Sequence, residues 1–357
     1  MGLEHKLINK LHSAQEIDEE ELLIVLGTSE DKIPEYKAKL DLLEAEFEVY
    51  MEQKDIPYYE PEKLAKGLRD FLWKDKKERY NGNFLLPDVI NAQLSIDDKK
   101  KVGSCVGLTA LYWVLGSRLG LKQSVLLSPN HIYSRVILDD ESSRTLLDLE
   151  NTRPSGKINF NYYFDAKEFG IEGLVVATLF NRSQKRKKEG NFYAALDDLT
   201  LNLKFEALKD ESYYSSSILK FDMEIYEDAL KDINVALELN FKKDNFHYLK
   251  GLILLELEKP EEALKCFEKA ITLNKEDYEE NKKDEENVSY LLGAIRAKKE
   301  LEKFEEAIKD YNWLMLIDGK NKSYYLLERG KLKSQLGLKD INDAINLNPN
   351  LEKQFLK

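Results

Sequence analysis

The sequence predicts an α+β domain of helices and a small antiparallel sheet over residues 1–178, followed by an all-α solenoid over residues 179–357. Three observations predict this fold. In the first part of the chain, apolar residues recur at helical spacing. After residue 120, three short segments change to the alternating or β-branched pattern of strands. In the second half, small residues return at intervals of 34 positions, which indicates stacked helical repeats.

The front of the chain is predicted to be helical. IDEEELLIVLG (17–27), PEYKAKLDLLEAEFEVYMEQ (34–53) and PEKLAKGLRDFLW (61–73) carry apolar residues at helical spacing between caps and charges. An irregular stretch follows up to residue 102. The next helix begins in GSCVGLTALYWVLGSRLG (103–120), where Ser104 is a favourable N-cap.

Three strands are expected after this helix, namely QSVLLS (123–128), HIYSRVIL (131–138) and RTLLDLE (144–150). The turn-forming DDESS joins the last two, which predicts a hairpin. A loop of two or four residues puts residues 131 and 148 on the same face of the sheet, and a five-residue loop without a bulge separates them. The sequence leaves both registers open.

The second half carries a small–large–small ridge that repeats with the 34-residue period typical of tetratricopeptide repeats. The ridge residues are Ala195, Leu199 and Asn202; Ala229, Ile233 and Ala236; and Ala263, Phe267 and Ala270. Ala307 follows 44 positions after Ala263, and the extra length coincides with the polar KEDYEENKKDEEN. Four to five repeats are expected, and such arrays bind a protein or peptide partner in their concave groove.

Composition and charge exclude several classes of protein. A net charge of −12 argues against binding to nucleic acid or to an anionic membrane surface. The apolar run LVVATLF (174–180) is too short to span a membrane, and the N-terminus lacks the pattern of a signal peptide. Two cysteines 161 positions apart give no disulfide framework, so a reducing cytoplasm is expected. No metal-ligand spacing and no cofactor motif is present, so neither a metal nor a cofactor is expected.

The candidate chemistry centres on Cys105 at the predicted helix N-terminus. The partial positive charge of a helix end stabilises a thiolate. A thiolate nucleophile needs a base and the base needs an orienting acceptor. His131 begins the second predicted strand, and Asp148 lies on the third, with Glu150 as a second acceptor on the same strand face.

These residues resemble the core of the transglutaminase-like superfamily, in the order Gly103-Ser104-Cys105, RLGL, His131 and LLDLE. The chain is most similar to a bacterial branch in which tetratricopeptide repeats follow this domain. The resemblance implies a papain-like fold and a triad of Cys105 as nucleophile, His131 as base and Asp148 as orienting residue. It also implies acyl transfer or amide hydrolysis on a protein or peptide substrate. Tyr133 stands where the superfamily often has Trp.

The resemblance leaves the oxyanion donor open. The backbone N–H of Cys105 is one option, and Asn83, Asn91 and Gln93 are possible side-chain donors. Many members of the bacterial branch lack the cysteine, so a non-catalytic interaction module is the rival interpretation. In that interpretation Cys105 is a small apolar residue that opens a helix.

Two other motifs point to simpler interpretations. GSCVG also fits the nucleophile elbow G-x-C-x-G, but that elbow requires an apolar strand before it, and the charged SIDDKKKV precedes it here. The basic run RSQKRKK (182–188) is interpreted as the solvated face of the first repeat helix and not as a nucleic-acid contact.

Overall fold

The computed structural model describes residues 2–74, 79–97, 101–139, 144–153, 166–276 and 284–347. By its internal contacts the chain divides into two compact units, Met1–Ser212 and Tyr213–Lys357.

The first unit begins with helices. Their bounds are α1 (Leu3–His12), α2 (Glu19–Val25), α3 (Ile33–Lys54), α4 (Pro61–Trp73), α5 (Leu86–Gln93) and α6 (Cys105–Arg118). The helix α5 lies within the stretch that the sequence predicts to be irregular. Pro87 stands in the first turn of α5, where the N–H that proline lacks would have no intrahelical partner. The helix has only eight residues, which is too short for a clear helical period.

The expected small antiparallel sheet is present and has one strand more than predicted. The strands are β1 (Gln123–Ser128), β2 (His131–Asp139), β3 (Arg144–Leu149) and β4 (Lys167–Phe169). Their order is β3-β2-β1-β4, and all neighbours are antiparallel. The three residues of β4 are too few to show a period of two, which is why the sequence pattern does not reveal this strand.

The core of the first unit surrounds α6. Every residue of this helix from Val106 to Gly116 is buried, and the helix packs against α4, α5, β1 and β2. A helix that is apolar on all sides needs partners on all sides. The buried Tyr112 hydroxyl satisfies its hydrogen-bonding requirement by donating to the Ala65 carbonyl of α4 at 2.9 Å.

Two further helices complete the first unit, α7 (Ile171–Lys188) and α8 (Phe192–Asn202). Packing of α7 against β1 and α6, and of α8 against α7, joins this pair to the sheet. At the contact with β1, a Cβ on Gly173 would lie only 2.6 Å from Val125 Cγ2. The domain boundary expected after residue 178 falls inside α7.

The repeated helices continue through the second unit, and the predicted helical repeat is confirmed. The bounds are α9 (Lys209–Asp222), α10 (Tyr226–Leu239), α11 (Asp244–Glu256), α12 (Pro260–Glu276), α13 (Asp284–Glu300), α14 (Phe304–Ile317) and α15 (Lys322–Leu347). From α10 onward each helix packs against the next. The large ridge residues Ile233 and Phe267 are fully buried.

Phe267 illustrates how the ridge packs. Its ring fills the space above two glycines, Gly251 on α11 and Gly293 on α13. A Cβ on either glycine would lie 2.6 or 2.5 Å from the ring, respectively. These two glycines therefore allow helices on both sides of α12 to approach its large residue.

Candidate functional site

The start of α6 is fixed by its N-cap and by two glycines. Cys105 is the first residue of the helix, and the Ser104 hydroxyl accepts a hydrogen bond from the Gly107 N–H. The Ser104 N–H donates to the Asn83 carbonyl at 2.6 Å. A Cβ on Gly103 or Gly107 would lie 3.0 or 2.7 Å from that same carbonyl oxygen. The glycines beside Cys105 therefore serve close packing against the segment around Asn83.

His131 begins β2 directly after a tight turn from β1. Ser128 and His131 are opposite each other in the β1–β2 register, with two residues between them. The Ser128 hydroxyl accepts from the His131 N–H at 3.2 Å and donates to the His131 carbonyl at 3.1 Å. The ring of the buried Tyr133 lies 4.5 Å from the imidazole, between ring centroids. Turn and ring together restrict the position of His131.

The structure brings Cys105, His131 and Glu150 together. Cys105 and His131 line the same pocket, and His131 Nε2 lies 2.7 Å from Glu150 Oε2. Because Nε2 is engaged by the carboxylate, Nδ1 is the ring nitrogen left for the thiol. The other oxygen of Glu150 accepts from the Thr152 N–H at 2.8 Å and from the Thr152 hydroxyl at 2.6 Å. Both oxygens of this buried carboxylate are thus held in place.

The three groups influence each other's charge. Burial opposes protonation of His131, but its hydrogen bonds to Cys105 and Glu150 outweigh that effect and raise its pKa to about 9. Burial likewise acts to raise the pKa of Glu150, yet the hydrogen bonds from His131 and Thr152 bring that pKa below its usual value. His131 is therefore an imidazolium at neutral pH.

Asp148, which the sequence analysis assigns as the orienting residue, lies elsewhere on β3. It is opposite Arg135 in the β2–β3 register and receives hydrogen bonds from Arg135 Nε and Nη2 at 2.6 and 2.8 Å. The position opposite Arg135 is four residues along β2 from His131, a distance of about 13 Å. Asp148 and His131 share a sheet face, but Glu150 is the carboxylate that reaches the imidazole.

A buried polar network fixes α6 on the sheet behind the site. The Asn151 amide donates to the Thr109 hydroxyl of α6 at 3.2 Å and to the Ser134 hydroxyl of β2 at 2.7 Å. All three side chains are buried. Asn151 follows Glu150 directly, so the network links the position of the carboxylate to that of the helix bearing Cys105.

The side chains that the sequence suggests as oxyanion donors are hydrogen-bonded to other groups. Gln93 accepts from Arg79 Nη2 and donates to the Leu72 carbonyl. Asn91 donates to the Tyr36 hydroxyl, and Asn83 donates to the Val102 carbonyl. By contrast, the backbone N–H of Cys105 has no acceptor among the residues that the structure describes, as expected for the first turn of a helix.

A pocket of about 60 Å³ opens beside Cys105 and His131. Its apolar walls come from the β1–β2 hairpin, from α6, from α7 and from the segment after α8. The lining residues are Cys105, Val106, Leu127, Ser128, Pro129, Asn130, His131, Ile132, Ala177, Phe180, Asn181 and Leu208. The site is therefore a thiol and an imidazole at the edge of a small, mostly apolar cavity.

The basic run at 182–188 differs from its interpretation as a solvated helix face, because its first residue is buried. Arg182 donates to Asp198 of α8, to Glu4 of α1 and to the Leu26 carbonyl. A buried guanidinium requires such partners. Arg182 thus anchors α7 within the first unit.

The chain has one other cysteine, Cys266. The thiol of Cys266, in α12, has its pKa raised by burial. Among the residues that the structure describes, no group of His, Cys, Asp and Glu side chains is arranged to hold a metal ion. In the same part of the chain, no helix combines the length and the apolar character needed to cross a bilayer.

Comparison with known proteins identifies the class of the repeated helices. Residues 245–277, which contain α11 without its first residue and the whole of α12, match the tetratricopeptide repeat family. No curated protein matches the chain.

Several solved structures of repeat proteins are similar to part of the chain. MamA from Desulfovibrio magneticus RS-1 is 19% identical, with 50% of this chain and 96% of that chain covered and a TM-score of 0.40. YrrB, described as a TPR protein with an unusual peptide-binding site, is 17% identical, with 49% and 87% covered and a TM-score of 0.38. A tetratricopeptide repeat protein from Parabacteroides merdae ATCC 43184 is 20% identical, with 48% and 64% covered and a TM-score of 0.38.

Proposed function

We propose that the protein is a cysteine-dependent acyltransferase or amidohydrolase in which Cys105 is the nucleophile. The observation that carries this proposal is that Cys105 and His131 line one pocket, with the His131 ring held by Glu150. His131 is the base and general acid. Glu150 takes the orienting role that the sequence analysis assigns to Asp148.

The proposed reaction begins from a Cys105 thiolate beside the His131 imidazolium, with the proton of the thiol held on the imidazole. The thiolate then attacks the carbonyl carbon of an amide and forms a C–S bond. As the C–N bond breaks, the His131 imidazolium gives its proton to the leaving amine. Water or a second amine then attacks the thioester and gives its proton to His131, and the C–S bond breaks to release the product and restore the Cys105 thiolate. Glu150 keeps the imidazole oriented and stabilises its charge throughout.

The oxyanion that forms during attack needs a hydrogen-bond donor. The backbone N–H of Cys105 is the donor we propose, because it lies in the first turn of α6 and no described residue accepts from it. The N-terminal end of the helix adds a partial positive charge at that point.

This proposal keeps the transglutaminase-like interpretation of residues 1–178 and the repeat interpretation of residues 179–357. The resemblance in sequence supports it, with Glu150 in place of Asp148. The repeats recruit the protein or peptide on which Cys105 acts, in the cytoplasm, where a free thiol persists. A second function, a non-catalytic interaction scaffold, is favoured by the tetratricopeptide match at residues 245–277 alone.

Acylation of the full-length protein by 4-nitrophenyl acetate tests the proposal. We expect peptide mass spectrometry to find the acetyl group on Cys105 and not on Cys266, which is half-buried like Cys105 and whose thiol pKa is raised by burial. The acylation rate should fall by roughly 10²- to 10⁴-fold in His131→Ala, since the base is lost. Cys266→Ala is the matched control and should react like the unaltered protein. If Cys105 reacts no faster than Cys266, the catalytic proposal is wrong and the scaffold function is the one that is left.

A further inference from the structure

One wall of the Cys105 pocket belongs to α7, the helix that also begins the repeat array. Ala177, Phe180 and Asn181 line the cavity from this helix. They are spaced at i, i+3 and i+4, so they share one face. The first repeat helix therefore presents a face to the candidate active site, in addition to packing on α8.

The rotation of α7 about its axis is fixed on both sides of Asn181. Eight residues earlier, Gly173 lies directly against Val125 of β1. One residue later, Arg182 is buried and donates to Asp198 and to the Leu26 carbonyl at 3.0 and 2.7 Å. These two contacts hold α7 so that Asn181 lies at the pocket.

The Asn181 side chain is the uncommitted polar group of this pocket. Ser128 exchanges hydrogen bonds with the His131 backbone, and the His131 ring is engaged by Glu150. Asn130 is exposed on the β1–β2 turn. Asn181 is half-buried, and within the described ranges its amide forms no hydrogen bond. A half-buried amide without a protein partner is well placed to hydrogen-bond a ligand.

We infer that Asn181 binds the carboxamide of the substrate at the Cys105 pocket, so that the site selects amides over esters. This inference rests on the proposed function. An asparagine side chain offers one acceptor oxygen and an NH₂ donor, which pair with the N–H and the oxygen of a carboxamide. An ester has no N–H, so it leaves the Asn181 oxygen without a partner, and such a loss lowers the affinity of a polar site.

The size of the cavity agrees with this substrate class. About 60 Å³ is roughly twice the volume that one water molecule occupies in the liquid, about 30 Å³. This space accommodates a group of a few non-hydrogen atoms, such as a terminal carboxamide. The apolar residues Val106, Ile132 and Leu208 then surround the aliphatic part of the substrate.

Two alkylating probes that differ only in the group on their carbonyl carbon measure the preference. Iodoacetamide carries a carboxamide and methyl iodoacetate carries an ester, and with both the Cys105 sulfur displaces iodide. The rate of labelling of Cys105 by iodoacetamide is divided by its rate of labelling by methyl iodoacetate, in full-length Cys266→Ala protein. This ratio is then divided by the same ratio for free cysteine, which removes the intrinsic difference in reactivity between the probes. In Asn181→Leu, which keeps the shape but lacks the amide, we expect this ratio to fall by about three- to tenfold.

Asn130→Leu is the matched control at the pocket rim, and it should leave the ratio unchanged. Circular dichroism of both variants establishes that they fold. If folded Asn181→Leu keeps the ratio of the unaltered protein, or if Asn130→Leu lowers it equally, the assignment of Asn181 is wrong. That failure is distinct from failure of the proposed function, in which 4-nitrophenyl acetate does not acylate Cys105.

Discussion

At the scale of single residues, two carboxylates on one sheet face have separate partners. Asp148 binds Arg135 through two hydrogen bonds, whereas Glu150 binds His131 and Thr152. The separation follows from the strand repeat, because two residues along β3 correspond to about 7 Å. A pair of isosteric substitutions therefore distinguishes the orienting carboxylate from the structural one.

We expect Glu150→Gln to slow acylation of Cys105 by at least about tenfold, because the neutral amide no longer stabilises the His131 imidazolium. Asp148→Asn, the matched control, should change the rate by less than about twofold, since Asp148 pairs with Arg135 and not with His131. Stopped-flow release of 4-nitrophenolate measures both. Equal losses in the two variants, or a loss confined to Asp148→Asn, would contradict the role given to Glu150.

At the scale of elements, the repeats depend on space reserved for their large ridge residues. Gly251 and Gly293 lie on different helices and both contact the ring of Phe267. Because the ring is fully buried, it has little freedom to move away from an added methyl group. The glycines are therefore packing positions of the solenoid.

Gly293→Ala is expected to destabilise the protein by about 1–3 kcal/mol, the usual cost of overpacking a core. Gly330→Ala is the control, since a Cβ at this exposed position in α15 has nothing within 4 Å. There the gain in helix propensity should stabilise the helix by up to about 1 kcal/mol. Urea denaturation followed by circular dichroism measures both effects, and stabilisation by Gly293→Ala would refute the packing role.

The elements differ in how far their sequence reveals them. The strands β1, β2 and β3 have clear periods, and the ridge of Ala229, Ile233 and Ala236 keeps a 34-residue register, so both are predictable. The alternation along β2 and β3 also allows Asp148 and Glu150 to share a face with His131. It does not reveal which carboxylate reaches the imidazole, because that depends on the pairing of Arg135 with Asp148.

The local sequence pattern also does not reveal that α7 both packs on α8 and lines the Cys105 pocket. Its helical period is visible in the sequence, but the cavity that Asn181 lines is formed by residues from four separate segments. Arg182 belongs to a run of basic residues that is typical of a solvated face. Only the placement of Glu4 and Asp198, far away in sequence, explains why it is buried.

At the scale of the whole molecule, the charged pair of His131 and Glu150 links stability to pH. The pKa of folded His131 is about 9, above the usual value of about 6.5. The folded state therefore binds more protons than the unfolded state between these values, so stability falls as pH rises. The stabilisation is complete below about pH 6.5 and is lost as the pH passes through about 9.

Glu150 has the opposite sign. Its pKa is lowered on folding, so its contribution is present above its unfolded value of about 4.3 and is lost as the pH falls through the folded value. We expect the unfolding free energy to decrease between pH 7 and pH 9, and this slope to become smaller in His131→Gln. Urea denaturation at several pH values measures it, and an unchanged slope in the variant would contradict the raised pKa.

The contacts of α7 limit where a different repeat array can be joined to the first part of this chain by recombination. A crossover at residue 178 would divide the helix that holds Gly173 on β1 at one end and Arg182 on Asp198 at the other. A new repeat array joined there would also replace Phe180 and Asn181 in the pocket. Because Leu208, after α8, also lines the pocket, a replacement array would have to begin beyond it, and the first helical pair would stay with the thiol that it faces.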